Sequence, residues 1–321
     1  MLDQIASFIQ GHDSFVISTH MSPDGDAVSS ALGMYWILKK LHKKAVIVMC
    51  DPVPKHLDFL PGIGKILSPK EWEEADYEQA IIVDCGNAKR VGDELYEGFQ
   101  HKFVINLDHH IDNPLFGNLH HVQDVASATV VIDEVREALD VPLDQTIATC
   151  FYTGLMSDTN GFRNANVDEN VLAIATKWAS AGVDPHYISK NLFERQSWNE
   201  MQLLGYALSE THIEDKVIWC AIPHEIFEKL DVHPNDTDGI VAQLRSVDGI
   251  EISAFFKEID HGKVKVSLRT KSDLPVNNIA QHFGGGGHIK AAGCLIQDSL
   301  ENATQMVLEK IREHMSLAVQ S

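Results

Sequence analysis

The chain is poor in three things. Its five cysteines (Cys50, Cys85, Cys150, Cys220, Cys294) are odd in number, scattered and without a CxxC pair. That argues against a disulfide framework and a thiolate zinc site, and it fits a reducing compartment. Long apolar runs are also missing. Hydrophobic residues make up 44% of the 321, yet no stretch approaches the ~18–20 residues of a membrane helix. The N-terminal MLDQIASFIQGHD has neither the basic n-region nor the small-residue cleavage site of a signal peptide, so a cytoplasmic protein with no membrane partner is expected. Positive charge is the third scarcity: 26 Lys and Arg stand against 46 Asp and Glu, for a net charge of −20. A broad surface for long nucleic acid needs Lys and Arg against the phosphates. A short phosphorylated substrate held by a few local cations is not excluded.

Short β-rich runs alternate with helical patterns through the first half. FVIST (15–19), AVIVMC (45–50), AIIVDC (80–85) and KFVINLD (102–108) read as buried strands; 27–41, 127–139 and 144–156 read as helices. This alternation predicts an α/β fold with a parallel sheet covered on both faces, in which ligands gather beyond the carboxyl ends of the strands. A polar helical stretch over about 184–211 reads as a connector. The pattern then restarts with KVIWCAI (216–222), a helical stretch near 236–247, and a hairpin of EISAFFKEID and KVKVSLRTK around a DHGK turn. A short helix, a glycine run, a strand and a closing helix (299–315) follow. The expected organisation is a catalytic domain over 1–188, a helical linker over 189–212 and a smaller α/β substrate-binding domain over 213–321.

Chemistry concentrates at the strand ends. His20, Asp24 and Asp26 follow the first strand in HMSPDGD, Asp84 closes AIIVDC, Asp108, His109 and His110 follow KFVINL, and Asp158 lies in GLMSDTNGF. A DGD turn is commonly a helix cap and an HH pair commonly lies on the surface; His120–His121, with no strand-end acid before it, is expected to be structural. The joint occurrence is different. A buried, unpaired carboxylate costs several kcal/mol, so acids and imidazoles ending separate strands imply a shared cation. Carboxylates and imidazoles without thiolate favour Mn²⁺ or Mg²⁺, with Fe²⁺, Co²⁺ or Zn²⁺ as alternatives, and Mn²⁺ is the ion expected. The groups are more than one ion needs and would serve two ions sharing a carboxylate, roughly 3.5–4 Å apart, an arrangement suited to phosphoester hydrolysis.

In the second half, FGGGGHIKAAG (283–293) lets backbone N–H groups approach an anion. Gly285, Gly286, Gly287 and His288, with Arg269 on the preceding strand, are candidates for a phosphate or terminal-nucleotide clamp. Lys263, Lys265, Arg269 and Lys271 share one parity and therefore one strand face.

HMSPDGDAVSSALG, VDCGNAKRVGD, NLDHH and MSDTNGF resemble the four ordered motifs of the DHH phosphoesterase family. RTKSDLPVNNIAQHFGGGGHIKAAGC resembles the signature of the DHH-associated domain, and the resemblance runs from about Asp13 to Gly293. Within the family the chain is similar to the bacterial nanoRNase branch, which combines oligoribonuclease and 3′-phosphoadenosine 5′-phosphate (PAP) phosphatase activities. The resemblance implies that His20 and Asp24 hold one metal ion, that Asp26, His109 and Asp158 hold a second, and that Asp84 bridges them. It further implies that His110 faces the scissile phosphate, that Asp108 orients an imidazole, and that the active site lies in the interdomain cleft. Implied substrates are short single-stranded RNA or DNA oligonucleotides and PAP; a homodimer is compatible. The alternatives are a linear or cyclic dinucleotide phosphodiesterase, an inorganic pyrophosphatase, or a non-catalytic nucleotide-binding module. One departure stands out: Asn160 occupies the place of a common family glycine, with Gly161 next to it, and a changed loop shape is expected there.

Overall fold

Strands β1 (Ser14–Ser18), β2 (Lys44–Val48), β3 (Ile66–Leu67), β4 (Gln79–Val83), β5 (Phe103–Asp108) and β6 (Leu119–Val122) line up in the order β3-β2-β1-β4-β5-β6, and every neighbouring pair is parallel. The computed structural model describes residues 1–72, 77–234, 237 and 239–319. The four strands expected from the sequence form the centre of this sheet. The added edge strands β3 and β6 are short and only half-buried, too weakly patterned to be read from composition. Alternate residues of each central strand face opposite layers, the period-2 consequence of strand geometry. Phe15, Ile17, Ile47, Ile81, Ile105 and Leu107 join the larger core with helices α1 (Leu2–Gly11) and α2 (Gly25–Lys40). Val16, Val46, Val48, Ala80 and Ile82 pack on the opposite side with α3 (Asp93–Phe99).

The strand order fixes where a ligand belongs. The chain runs outward from β1 to β3, then returns to the other side of β1 and runs outward again from β4 to β6. The order reverses between β1 and β4, and a crevice opens at the carboxyl ends of such a switch point. His20 lies two residues past β1 and Asp84 directly past β4. Helices α4 (Ala128–Ala138), α5 (Gln145–Asp158), α6 (Glu169–Ser180) and α7 (Pro185–Phe193) complete this unit.

Close packing of α2 on α5 brings a helix-end acid, Asp158, toward the strand-end groups. A Cβ on Gly33 would fall 2.6 Å from Phe151 Cε1, one on Gly25 2.3 Å from Ser157 Oγ, and one on Gly154 2.6 Å from Asp26 Oδ1. Glycine at these positions lets the start of α2, with Asp24 and Asp26, lie against the end of α5, with Asp158.

The chain divides into two units, Met1–Arg195 and Gln196–Ser321. The stretch expected as a connector forms two helices, α7 in the first unit and α8 (Trp198–Ser209) in the second; Leu203 and Ala207 of α8 lie in the second unit's core. The second sheet contains β7 (His212–Glu214), β8 (Val217–Ile222), β9 (Ile252–Asp260), β10 (Lys263–Thr270), β11 (Gly286–His288) and β12 (Ala291–Ile296), in the order β11-β12-β10-β9-β8-β7. Only β8 and β9 pair in parallel among these neighbours. Helices α8, α9 (His224–Leu230) and α10 (Ile240–Ser246) cover one face, and α11 (Val276–His282) and α12 (Leu300–Val319) the other. The expected β9–β10 hairpin is present. Of the helical stretch expected near 236–247, residues 236 and 238 lie outside the described residues. No helix among the described residues is long and apolar enough to cross a membrane.

Candidate metal centre

Strand-end and helix-end groups of the first unit converge into two triads, His20 with Asp24 and Asp84, and Asp26 with His109 and Asp158, and Asp84 is shared with a further group, Asp108 and His110. His20 Nε2 lies 3.6 Å from Asp84 Oδ2 and 3.9 Å from Asp24 Oδ2. His109 Nε2 lies 3.3 Å from Asp84 Oδ1, 3.6 Å from Asp158 Oδ2 and 3.8 Å from Asp26 Oδ2. Asp84 therefore turns one carboxylate oxygen toward each triad. It does so from a left-handed backbone (φ 48°) at the end of β4, a conformation that Asp adopts more readily than most residues.

The ring hydrogen bonds decide what these atoms offer. His20 Nδ1 is 2.9 Å from the carbonyl of Met21 and His109 Nδ1 is 3.0 Å from that of Val125. A carbonyl only accepts, so each Nδ1 carries the hydrogen, and in the neutral ring Nε2 is left with a lone pair. Two lone-pair atoms then face carboxylate oxygens across gaps of 3.3–3.9 Å. Asp84 Oδ1 is buried without a hydrogen bond of good geometry. Such a cluster needs a cation. Bonds of ~2.0–2.2 Å to one ion place adjacent donor atoms about 3–3.5 Å apart, so the residues fit divalent metal, and the oxygen and imidazole donor set suits a hard or borderline ion.

Without metal, protons take the cation's place. Burial, and then the Asp84 charge, push the Asp26 carboxyl up to about 7. Burial with Asp26, Asp24 and Asp84 raises Asp158 well above the carboxylate range, against the pull of His109. Asp158 also ends α5, where the helix dipole disfavours an anion. Burial opposes charge on Asp84, His109 and His20 as well, but mutual attraction wins: Asp84 is held well below its usual range, and both rings are raised.

Asp24 serves two ends. Its Oδ1 accepts from the backbone N–H groups of Asp26 and Ala27, capping α2, while Oδ2 faces His20. Asp26 is held by Ser127 Oγ at 2.6 Å and by the Ala128 N–H at 2.7 Å, at the start of α4. Asp108 is buried and lies outside both triads. Its Oδ1 accepts from His110 Nδ1 at 2.8 Å, and its Oδ2 accepts from Asn113 Nδ2 at 2.6 Å. Asn113 also donates to Asn106 Oδ1 at 2.8 Å. Gly86 makes room for the ring, since a Cβ there would meet His110 Cβ at 3.1 Å.

Ser127, Asn113, Asn106 and Gly154 were not singled out from sequence. Ser127 was legible only as a helix start, which it also is, and its bond to Asp26 spans 101 residues. Asn160 takes φ 50° and Gly161 φ 67°; asparagine tolerates the left-handed turn that glycine would make. His121 Nε2 bonds Glu134 Oε2 at 2.7 Å, away from both triads.

In the second unit the register aligns Arg269 with Ala291 and Ala291 with His288, so Arg269 and His288 stand in one row on one face, separated by a small side chain. The glycine run is in part an edge strand rather than a free turn. A Cβ on Gly285 would fall 2.1 Å from the Gly293 carbonyl oxygen, and one on Gly287 (φ 134°) 2.6 Å from that of Ala291. Close approach of β11 to β12 accounts for both. Gly286 has open space where its Cβ would be.

A family model for the DHH family N-terminal domain matches residues 14–155, and one for the DHHA1 domain matches residues 214–316. The bifunctional oligoribonuclease and PAP phosphatase NrnA of Thermus thermophilus is 35% identical over 307 residues, 94% of this chain and 90% of that protein. The chain belongs to the DHH family. As a DHH phosphoesterase it is a hydrolase. Among solved structures, an exopolyphosphatase-related protein from Bacteroides fragilis superposes with a TM-score of 0.89 at 26% identity, covering 100% of this chain and 97% of that one. RecJ of Thermus thermophilus, solved in complex with Mn²⁺, shares the fold with a TM-score of 0.60 at 14% identity, covering 97% of this DHH chain and 54% of RecJ.

Proposed function

We propose that this DHH protein hydrolyses short oligoribonucleotides to nucleoside monophosphates and PAP to AMP, using two divalent ions, Mn²⁺ by preference. The observation that carries the reading is the pair of triads sharing Asp84. The name of the Thermus relative supports the substrates, and the manganese of RecJ, together with the oxygen and imidazole donors, supports the ion. His20, Asp24 and Asp84 hold one ion, and Asp26, His109, Asp158 and Asp84 the other. When bound, the ions supply Lewis-acid polarisation of the phosphate and lower the pKa of water.

The remaining work falls to the chain itself. Asp108 fixes the hydrogen of His110 on Nδ1, so that Nε2 is the atom that meets the substrate. Protonated, it donates to the oxygen that leaves. Asn113 keeps Asp108 oriented by occupying its second oxygen. In the second unit Arg269 and His288, with the N–H groups of Gly285, Gly286 and Gly287, bind the phosphorylated end of a short strand, RNA or DNA. The free thiols of all five cysteines support a place in the cytoplasm.

A clamp that takes the phosphorylated end of a strand favours short substrates, in which the scissile bond lies next to an end. With Mn²⁺, dinucleotides are expected to turn over at least about tenfold faster than strands of about twenty nucleotides, with AMP released from PAP. Equal rates at every length, measured on end-labelled RNA, would contradict the terminal clamp.

A further inference from the structure

We propose that Arg90 binds substrate phosphate at the rim of the metal centre. This rests on the phosphoesterase reading and adds to it a residue of the first unit, outside both triads.

Five carboxylates crowd the centre: Asp24, Asp26, Asp84, Asp108 and Asp158. They slightly outweigh the charge of two divalent ions, so an anionic substrate approaching them needs a further cation at the rim. Arg90 stands there. It sits in a 3₁₀ turn, Ala88–Val91, that follows β4 and Asp84. Its carbonyl accepts the Met21 N–H at 2.6 Å, which ties this turn to the residue directly after His20. The positive charge of Arg90 works against a proton on the His20 ring.

The turn is held in shape from several sides. Asn87 Oδ1 accepts from the Lys89 N–H at 3.0 Å, and Cys85 Sγ lies 3.1 Å from the Asn87 carbonyl. Gly92 closes it at φ 96°, where a Cβ would fall 2.7 Å from Cys50 Sγ. Yet the Arg90 side chain is exposed and makes no ion pair or hydrogen bond among the described residues, although Asp93 and Glu94 follow closely and acids outnumber bases 46 to 26. A fixed backbone carrying an unsatisfied planar fork of donors beside a phosphate-processing centre matches phosphate geometry better than any lysine would.

The test compares wild type with Arg90→Ala, Arg90→Lys and the neighbouring Lys89→Ala, each loaded with Mn²⁺. Calorimetry with inorganic phosphate and, separately, the steady-state KM for PAP read binding, and Mn²⁺ titration and melting read integrity. Arg90→Ala is expected to weaken binding of both by about 10- to 100-fold. Arg90→Lys should recover part of the loss, and Lys89→Ala should stay within about twofold, since a solvated charge contributes little. Manganese affinity and melting should not change. Unchanged phosphate affinity in Arg90→Ala would overturn the assignment, as would an equal loss in Lys89→Ala or a loss of manganese. If wild type takes phosphate but no PAP, the nucleotide reading fails while the phosphate comparison still decides the role of Arg90.

Discussion

Asp84→Asn is expected to lower dinucleotide turnover by at least about 10³-fold, equivalent to about 4 kcal/mol of transition-state stabilisation, with melting within about 5 °C of wild type. The two oxygens of Asp84 face different imidazoles. An amide keeps one acceptor and turns an NH₂ toward the other ring, so one triad loses its shared ligand. The backbone is not strained further, because Asn accepts the φ of 48° as readily as Asp. The readouts are steady-state rates with Mn²⁺ and thermal melts of the same preparations. Full activity in the variant would remove Asp84 from the shared position.

Metal affinity should climb steeply with pH. Asp26 is pushed up to about 7, and Asp158 and His109 are raised well above their ordinary ranges, so the metal-free centre holds protons that metal must displace. Because protons compete with the ion, Mn²⁺ affinity is expected to fall at least about tenfold between pH 7 and pH 6. Proton release should be visible as a dependence of binding enthalpy on buffer. The same groups set the stability of the metal-free protein. Asp26 keeps a proton in the folded state from pH 3.8 to about 7, where the unfolded chain has lost it, and His109 does likewise above 6.5. Folded protein binds more protons than unfolded across that window, so stability falls as pH rises through it. The thermal shift produced by Mn²⁺ should therefore be larger at pH 8 than at pH 6. An affinity independent of pH would mean that these groups are not the ligands.

The central strands and the groups at their ends were legible because each signal is local. A Val- and Ile-rich run ending in an acid or histidine needs no partner to be seen, and the DHH triplet sits within a few residues of its strand. The cap expected of a DGD turn is present and takes only half of the side chain: Asp24 caps α2 with one oxygen and faces His20 with the other. What stayed hidden depends on distant packing. Ser127 reaches Asp26 only because α4 starts beside α2, and Gly154 matters only because α5 crosses α2 at Asp26. Asn113 is a loop residue whose partners lie on β5 and behind β4. The glycine run showed its composition but not its pairing, because an edge strand of three residues leaves no periodicity to read.

Direct titration of manganese into the metal-free chain at pH 8, followed by electron paramagnetic resonance, addresses the shared centre itself. Wild type should take up two ions per chain with the broadened, spin-coupled signal of a close pair, and Asp84→Asn should lose the coupling and at least one ion. Uncoupled ions in wild type, or a coupled pair that survives in Asp84→Asn, would contradict a two-ion site built around that carboxylate.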